Sequence, residues 1–96
     1  MSNIEFAWDR RKADANLRKH GVSFEEARTV FYDEHARHMP DPKHSHLEDR
    51  FILMGMSAKL RGIVVCHCFR ENDSVVRIIS ARKATSHERE FYESNL

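Results

Sequence analysis

The chain has 96 residues, with 16 Lys+Arg, 15 Asp+Glu and a formal net charge of +1. That length predicts one domain over residues 1–96 with a single small core, and leaves no room for a separate cofactor-binding domain. Aromatic residues at 9% argue against disorder, no apolar run reaches the roughly 20 residues of a membrane helix, and the N-terminal residues lack the apolar stretch of a signal peptide.

Residues 3–7 predict a short strand. Asp9 then reads as an N-cap for a helix over residues 10–20, stopped by Gly21 at the position that favours a left-handed backbone. Ala13, Asn16, Leu17 and His20 fall on one stripe of that helix, beside a polar stripe of Lys12, Asn16 and Lys19. Ser23-Phe24-Glu25-Glu26 has the pattern of a capping box and predicts a second helix ending near Tyr32, with Phe24, Ala27, Val30 and Phe31 as its buried face.

Residues 33–47 change character, with two prolines and the four histidines His35, His38, His44 and His46. They predict a loop, with a short edge strand over residues 36–39 that Pro40 and Pro42 would end. Three strands follow, over residues 50–56, 63–70 and 75–82, as an antiparallel meander. If the last turn centres on Asn72-Asp73, Cys68 lies opposite Arg77 and His67 opposite Ile78. Val64, Cys66, Cys68, Arg77, Ile79 and Ala81 then share one face, and His67, Ile78, Ser80 and Arg82 the other; one residue of slip would reverse the partition between the strands. A second capping box, Thr85-Ser86-His87-Glu88, opens a C-terminal helix over residues 86–94 anchored by Phe91 and Tyr92. The expected fold is α+β, in the order β-α-α-β-β-β-α, a small antiparallel sheet with helices packed on one face.

Cys66 and Cys68, two apart in a strand, predict reduced thiols filling a sheet face, and a cytoplasmic protein. The His-rich loop lacks the paired ligand spacing of a structural zinc site, so no metal and no cofactor are expected. Near-neutrality weighs against a nucleic-acid partner only as a sum. Arg10, Arg11, Lys12, Arg18 and Lys19 crowd the first helix, Arg77, Arg82 and Lys83 crowd the last strand, and carboxylates gather at Glu25, Glu26, Asp33 and Glu34. A locally positive face is therefore compatible with the total, although solvated surface charges would give the same pattern. Arg77 interrupts an aliphatic run; it either pairs with an acid such as Glu48 or opens onto a groove that holds an anion.

Glu5-Phe6, Trp8-Asp9, Lys12, Asn16, Lys19-His20-Gly21-Val22, Phe24 and Glu26-Ala27 resemble the opening of the BrnT toxin family. Glu48, Arg50 and Gly55 resemble its middle, and Arg77-Ile78-Ile79-Ser80-Ala81-Arg82-Lys83-Ala84 with Glu88-Arg89 and Tyr92 its closing signature. The resemblance implies a RelE-like fold and a metal-independent endoribonuclease, the toxin of a bacterial or archaeal type II toxin–antitoxin pair, which cuts RNA and arrests translation and growth. It implies neutralisation by a BrnA antitoxin of the ribbon-helix-helix type. Toxins and an antitoxin dimer would form a heterotetramer that represses its own operon, touching operator DNA only through the antitoxin. The alternative is a non-catalytic RNA- or partner-binding module of the same fold. Metal-free RNA cleavage needs a base at the ribose 2′-hydroxyl, an acid at the 5′-oxygen and cations on the phosphate. The candidates for these roles are Arg77, Arg82, Lys83, His20, His67 and Glu48, with Arg50, Lys12, Lys19, Arg70 and Tyr92 as RNA contacts. His20 can equally be a C-cap histidine, Glu48 and Arg50 a structural ion pair, and Tyr92 a core residue. The second strand of the meander departs from the family pattern, with Cys68-Phe69 where a polar pair is usual before Arg70.

Overall fold

The computed structural model describes residues 4–41 and 49–96. Strand β1 (Glu5–Ala7) leads into helix α1 (Arg10–His20) and helix α2 (Phe24–Thr29), which tightens into a 3-10 turn at Val30–Tyr32. Strands β2 (Arg37–Pro40), β3 (Phe51–Met56), β4 (Gly62–Arg70) and β5 (Val75–Lys83) follow, and helix α3 (Ser86–Glu93) closes the chain. The fold is α+β and the order is roughly as expected: the short edge strand β2 adds a fourth strand to the three of the meander between the helices.

The caps explain where the helices start and stop. The Asp9 carboxylate accepts from the N–H groups of Arg11 and Lys12, and Gly21 turns left-handed at φ 70° to end α1. Thr85 and Glu88 form the full capping box at α3. At α2 only half of the expected box forms. Ser23 accepts from the Glu26 N–H, but the Glu26 carboxylate turns away to Arg61 and to the Ser57 hydroxyl. Arg61 also donates to the Gly21 carbonyl, so one buried carboxylate ties the α1–α2 corner to the β3–β4 turn.

The sheet runs β1-β5-β4-β3-β2 and is mixed rather than wholly antiparallel. β1 lies parallel to β5, Glu5 beside Val75 and Ala7 beside Arg77. The sequence does not mark that pairing, because the partner strand is 70 residues downstream and only the closed fold brings it alongside.

The β4–β5 hairpin begins in the expected register, with Cys68 opposite Arg77 and His67 opposite Ile78. Beyond it, Cys66 lies opposite Ser80 and Val64 opposite Arg82, so Ile79 is an extra residue, a β-bulge. This corrects the expected partition of the faces. Ser80 and Arg82 move to the face of Arg77, Cys66 and Cys68, and Ala81 moves to the opposite one, because a single inserted residue inverts every side chain after it.

Val22, Phe24, Ala27 and Val30 of the helical layer bury Leu53, Ile63, Val65, Val76, Ile78 and Ala81 on one face of the sheet. α1 is fastened there by Asn16. Its amide donates to the carbonyls of Val22 and Ala81, at 2.9 and 2.8 Å, and accepts from the Ala81 N–H at 3.1 Å. β1 reaches only as far as Arg77 along β5, so Asn16 supplies the partner groups that a longer strand would have given Ala81. α3 does not join that layer. Its Tyr92 packs on Met54 and Val64, on the other face, so the expectation of helices on one face holds for α1 and α2 alone. The Tyr92 hydroxyl donates to Asp33, whose carboxylate also accepts from the Met56 N–H where β3 runs past the end of β2.

Candidate functional site

Pairing across the strands turns the α3-bearing face into a grid. One row reads Arg37, Met54, Val64, Arg82, and the next reads Met39, Ile52, Cys66, Ser80. Beyond these, Cys68 lies beside Arg77, and Arg77 beside Ala7. Helix α3 lies across the first row. Glu88 meets Arg82 on β5, Tyr92 covers Val64 and Met54, and Phe91 meets Arg37 on β2. The remaining floor has small and apolar side chains at its centre and arginines at its margins.

Arg77 is half-buried on this floor, and among the described residues its side chain forms no ion pair. Of the two readings of Arg77, pairing with Glu48 lies outside the described residues. Arg82 is brought to the same face by the Ile79 bulge. Its guanidinium pairs with both oxygens of Glu88, at 2.8 and 2.9 Å. That pair holds the Glu88 carboxyl well down, to about 2, with the Thr85 N–H assisting against the cost of burial. Lys83 ends β5, exposed, but its pairing with Ile63 turns it to the α1–α2 side, so the expected grouping of Lys83 with Arg77 and Arg82 does not hold: neighbouring residues of a strand face opposite ways. Arg70 ends β4, exposed, and Arg50 immediately precedes β3. Burial pushes the Cys66 thiol up to about 11; the Asp41 carboxylate 3.7 Å away adds to this and Arg50 opposes it. Both cysteines are free thiols on this face, as expected.

The other candidates are elsewhere. His67 is fully buried on the α1–α2 side, among Phe31, Phe51 and Phe69. Its Nε2 lies 3.1 Å from Nε2 of His38, and the two rings stack. Burial pushes its imidazole down to about 4, against a weak contact with the Val65 carbonyl and with His38 nearby favouring the neutral form. An acid–base role for His67 on the arginine face is thus at odds with the fold, since the sheet itself separates them. His20, Lys12 and Lys19 ride on α1, on the same side as His67. Tyr92 is buried, and burial with the Asp33 bond pushes its hydroxyl up to about 12, so it serves as an anchor for α3. Among the described residues no three His, Cys, Asp or Glu side chains gather as a metal-binding group, and His44, His46 and Glu48 lie outside those residues.

Two neighbours of the arginine face were missed by sequence reasoning. Arg37 sits in a stretch read mainly as loop, although the alternation of the short strand there does assign it a face. Glu88 reads as a helix cap and as part of the closing signature, not as a partner of Arg82, because a spacing of six residues carries no strand or helix periodicity.

The chain resembles a solved structure, the 1.1 Å crystal structure of the Brucella abortus ribonuclease toxin BrnT, with a TM-score of 0.69. The match covers 88% of this chain and all of that one at 23% identity, and is a likeness of fold. No curated protein matches the sequence. The family model for the ribonuclease toxin BrnT of type II toxin–antitoxin systems matches residues 8–88. That span takes in α1, the whole meander and the Arg82–Glu88 pair, and the chain belongs to the BrnT family of ribonuclease toxins.

Proposed function

We propose that this chain cuts RNA without a metal, arrests translation and growth in the cytoplasm, and is held inactive by a BrnA-type ribbon-helix-helix antitoxin with which it represses its own operon. The observation that carries the catalytic part is the gathering of Arg77 and Arg82 on one sheet face, open beyond α3. In such a cleavage the 2′-oxygen bonds to the neighbouring phosphorus as a base takes its proton. The bond from phosphorus to the 5′-oxygen breaks as an acid protonates that oxygen, leaving a cyclic phosphate. Negative charge builds on the phosphoryl oxygens between these events, and planar guanidinium groups match it. Arg77, with no competing ion pair among the described residues, takes the phosphate. Arg82, its plane fixed by Glu88, takes a second oxygen or the neighbouring phosphate, and Arg50 and Arg70 extend the positive margin. Glu48, two residues before Arg50, is the carboxylate candidate for the base.

The buried position of His67 favours a second reading, a module that binds RNA or a partner without cutting. One assay separates the two. Purified protein is incubated with short RNA in EDTA, and products are resolved beside a filter-binding measurement. Cleavage in EDTA, reduced about 100-fold or more by Arg77→Ala at unchanged melting temperature, is the expected result. Retention of intact RNA establishes the binding module. Intact RNA with no retention refutes cutting and RNA binding alike and leaves only a module that binds a protein partner.

A further inference from the structure

Phe91 is an aromatic side chain that packing does not consume: its residue is 45% exposed, whereas the adjacent Tyr92 is buried. The Arg37 guanidinium carbon lies 5.4 Å from the centre of its ring, within cation–π range. The polar neighbours of the ring are turned away from it. Ser94 Oγ and Asn95 Nδ2 both donate to the Phe91 carbonyl, and the Glu88 carboxylate is taken up by Arg82. Arg37 also shares its cross-strand row with Arg82, three strand spacings away, or about 14 Å. An exposed aromatic ring against a guanidinium, on the same sheet face as arginines suited to phosphate, is a combination that holds single-stranded RNA. The arginines follow the backbone, and the flat groups take a base whose partner strand is absent.

We propose that Arg37 and Phe91 form a stacking seat for one unpaired nucleobase of the RNA strand, at the margin of the arginine face. The proposal rests on the reading that this face binds RNA, and it adds a contact that selects unpaired strands and sets which nucleotide lies over Arg77 and Arg82. A duplex cannot present a base there without unstacking it. Because stacking is short-ranged and uncharged in origin, its loss weakens binding without flattening the salt dependence, unlike the loss of a phosphate contact.

The test uses the full chain and a short single-stranded RNA with 2′-O-methyl riboses, which cannot be cut by attack of a 2′-oxygen, carrying the fluorescent base 2-aminopurine at successive positions. One position is expected to be quenched on binding. Phe91→Leu, which keeps apolar bulk on α3, is expected to abolish that quenching and weaken binding about ten-fold at unchanged salt slope; Phe91→Trp is expected to restore both. Arg77→Ala, in contrast, is expected to weaken binding with a shallower salt slope. If Phe91→Leu binds and quenches like the parent, the seat is refuted. If it leaves RNA binding intact but abolishes antitoxin binding, the surface takes a protein and the proposal is overturned. If the parent binds no RNA and Arg77→Ala changes nothing, the RNA reading of the whole face fails along with the seat.

Discussion

Replacing Asn16 by alanine removes three hydrogen bonds from the interior at once. Asn16 is 7% exposed, and its amide serves both the N–H and the carbonyl of Ala81 as well as the carbonyl of Val22. Each such bond contributes about 1 kcal/mol net, and each backbone group stranded without water costs about 1–3 kcal/mol. The better helix propensity of alanine returns about 0.5 kcal/mol. The expected loss is about 3–4 kcal/mol, a large part of the roughly 5–15 kcal/mol that a domain possesses. At about 4–8 °C per kcal/mol for a chain of this size, melting falls by about 15 °C or more. Asn16→Asp is the sharper variant. It keeps the acceptor for the Ala81 N–H but loses both donors and sets a carboxylate against two carbonyl oxygens. Its folded-state pKa is therefore raised, and the protonated acid supplies one of the two missing donors. Its stability relative to the parent is highest in acid and falls as pH rises through that raised pKa. Thermal melts of parent, Asn16→Ala and Asn16→Asp at pH 7 and pH 5 read this out. A loss under about 4 °C for Asn16→Ala, or an Asn16→Asp deficit that does not shrink at pH 5, would refute the account of Asn16 as a surrogate strand partner.

Two further outcomes are expected. His67 is buried neutral with its imidazole pushed down to about 4 from an ordinary 6.5, so below about pH 6.5 the unfolded chain takes a proton that the folded chain refuses. Stability is full above that pH and declines as pH falls towards 4, with His38, also lowered by burial, adding in the same direction. His67→Phe is expected to flatten this limb in melts between pH 7.5 and 4.5, and an unchanged slope would count against it. A Cβ on Gly55 would lie 2.9 Å from Asp33 Oδ2, 3.0 Å from the Ala36 Cβ and 3.1 Å from a Val30 methyl. Gly55→Ala displaces the carboxylate that holds Met56 and Tyr92, and is expected to cost about 1–3 kcal/mol, read as a lower denaturant midpoint.

The reading of the strands was accurate where the signal is local. The Asn72-Asp73 turn, with left-handed residues from Glu71 through Asp73, fixes Cys68 against Arg77 as expected. The reading failed past Ile79, where a bulge is a response to packing and leaves no mark in a run of aliphatic residues. The consequence reaches the arginine face, because the bulge transfers Arg82 from the face of His67 to that of Arg77. Half of the capping box at Ser23 failed for a similar reason. Glu26 had a local partner available, but Arg61, 35 residues on, makes the stronger charged contact in the buried site.

Sequence alone determined the elements, their caps and most of their order, because hydrophobic period, capping residues and turn residues act within a few positions of each other; the family came from the resemblance of its motifs. It also separated the charges, with basic residues on α1 and β5, so that a net charge of +1 does not weigh against an anionic partner. Only tertiary structure decided which of those cations share a face. It set β1 parallel beside β5, inserted Ile79, stacked His67 against His38 in the interior, and laid α3 across the sheet with Glu88 on Arg82 and Phe91 under Arg37. Each of these is a contact between distant segments. Its free energy exists only once the chain has closed, and no local periodicity encodes it.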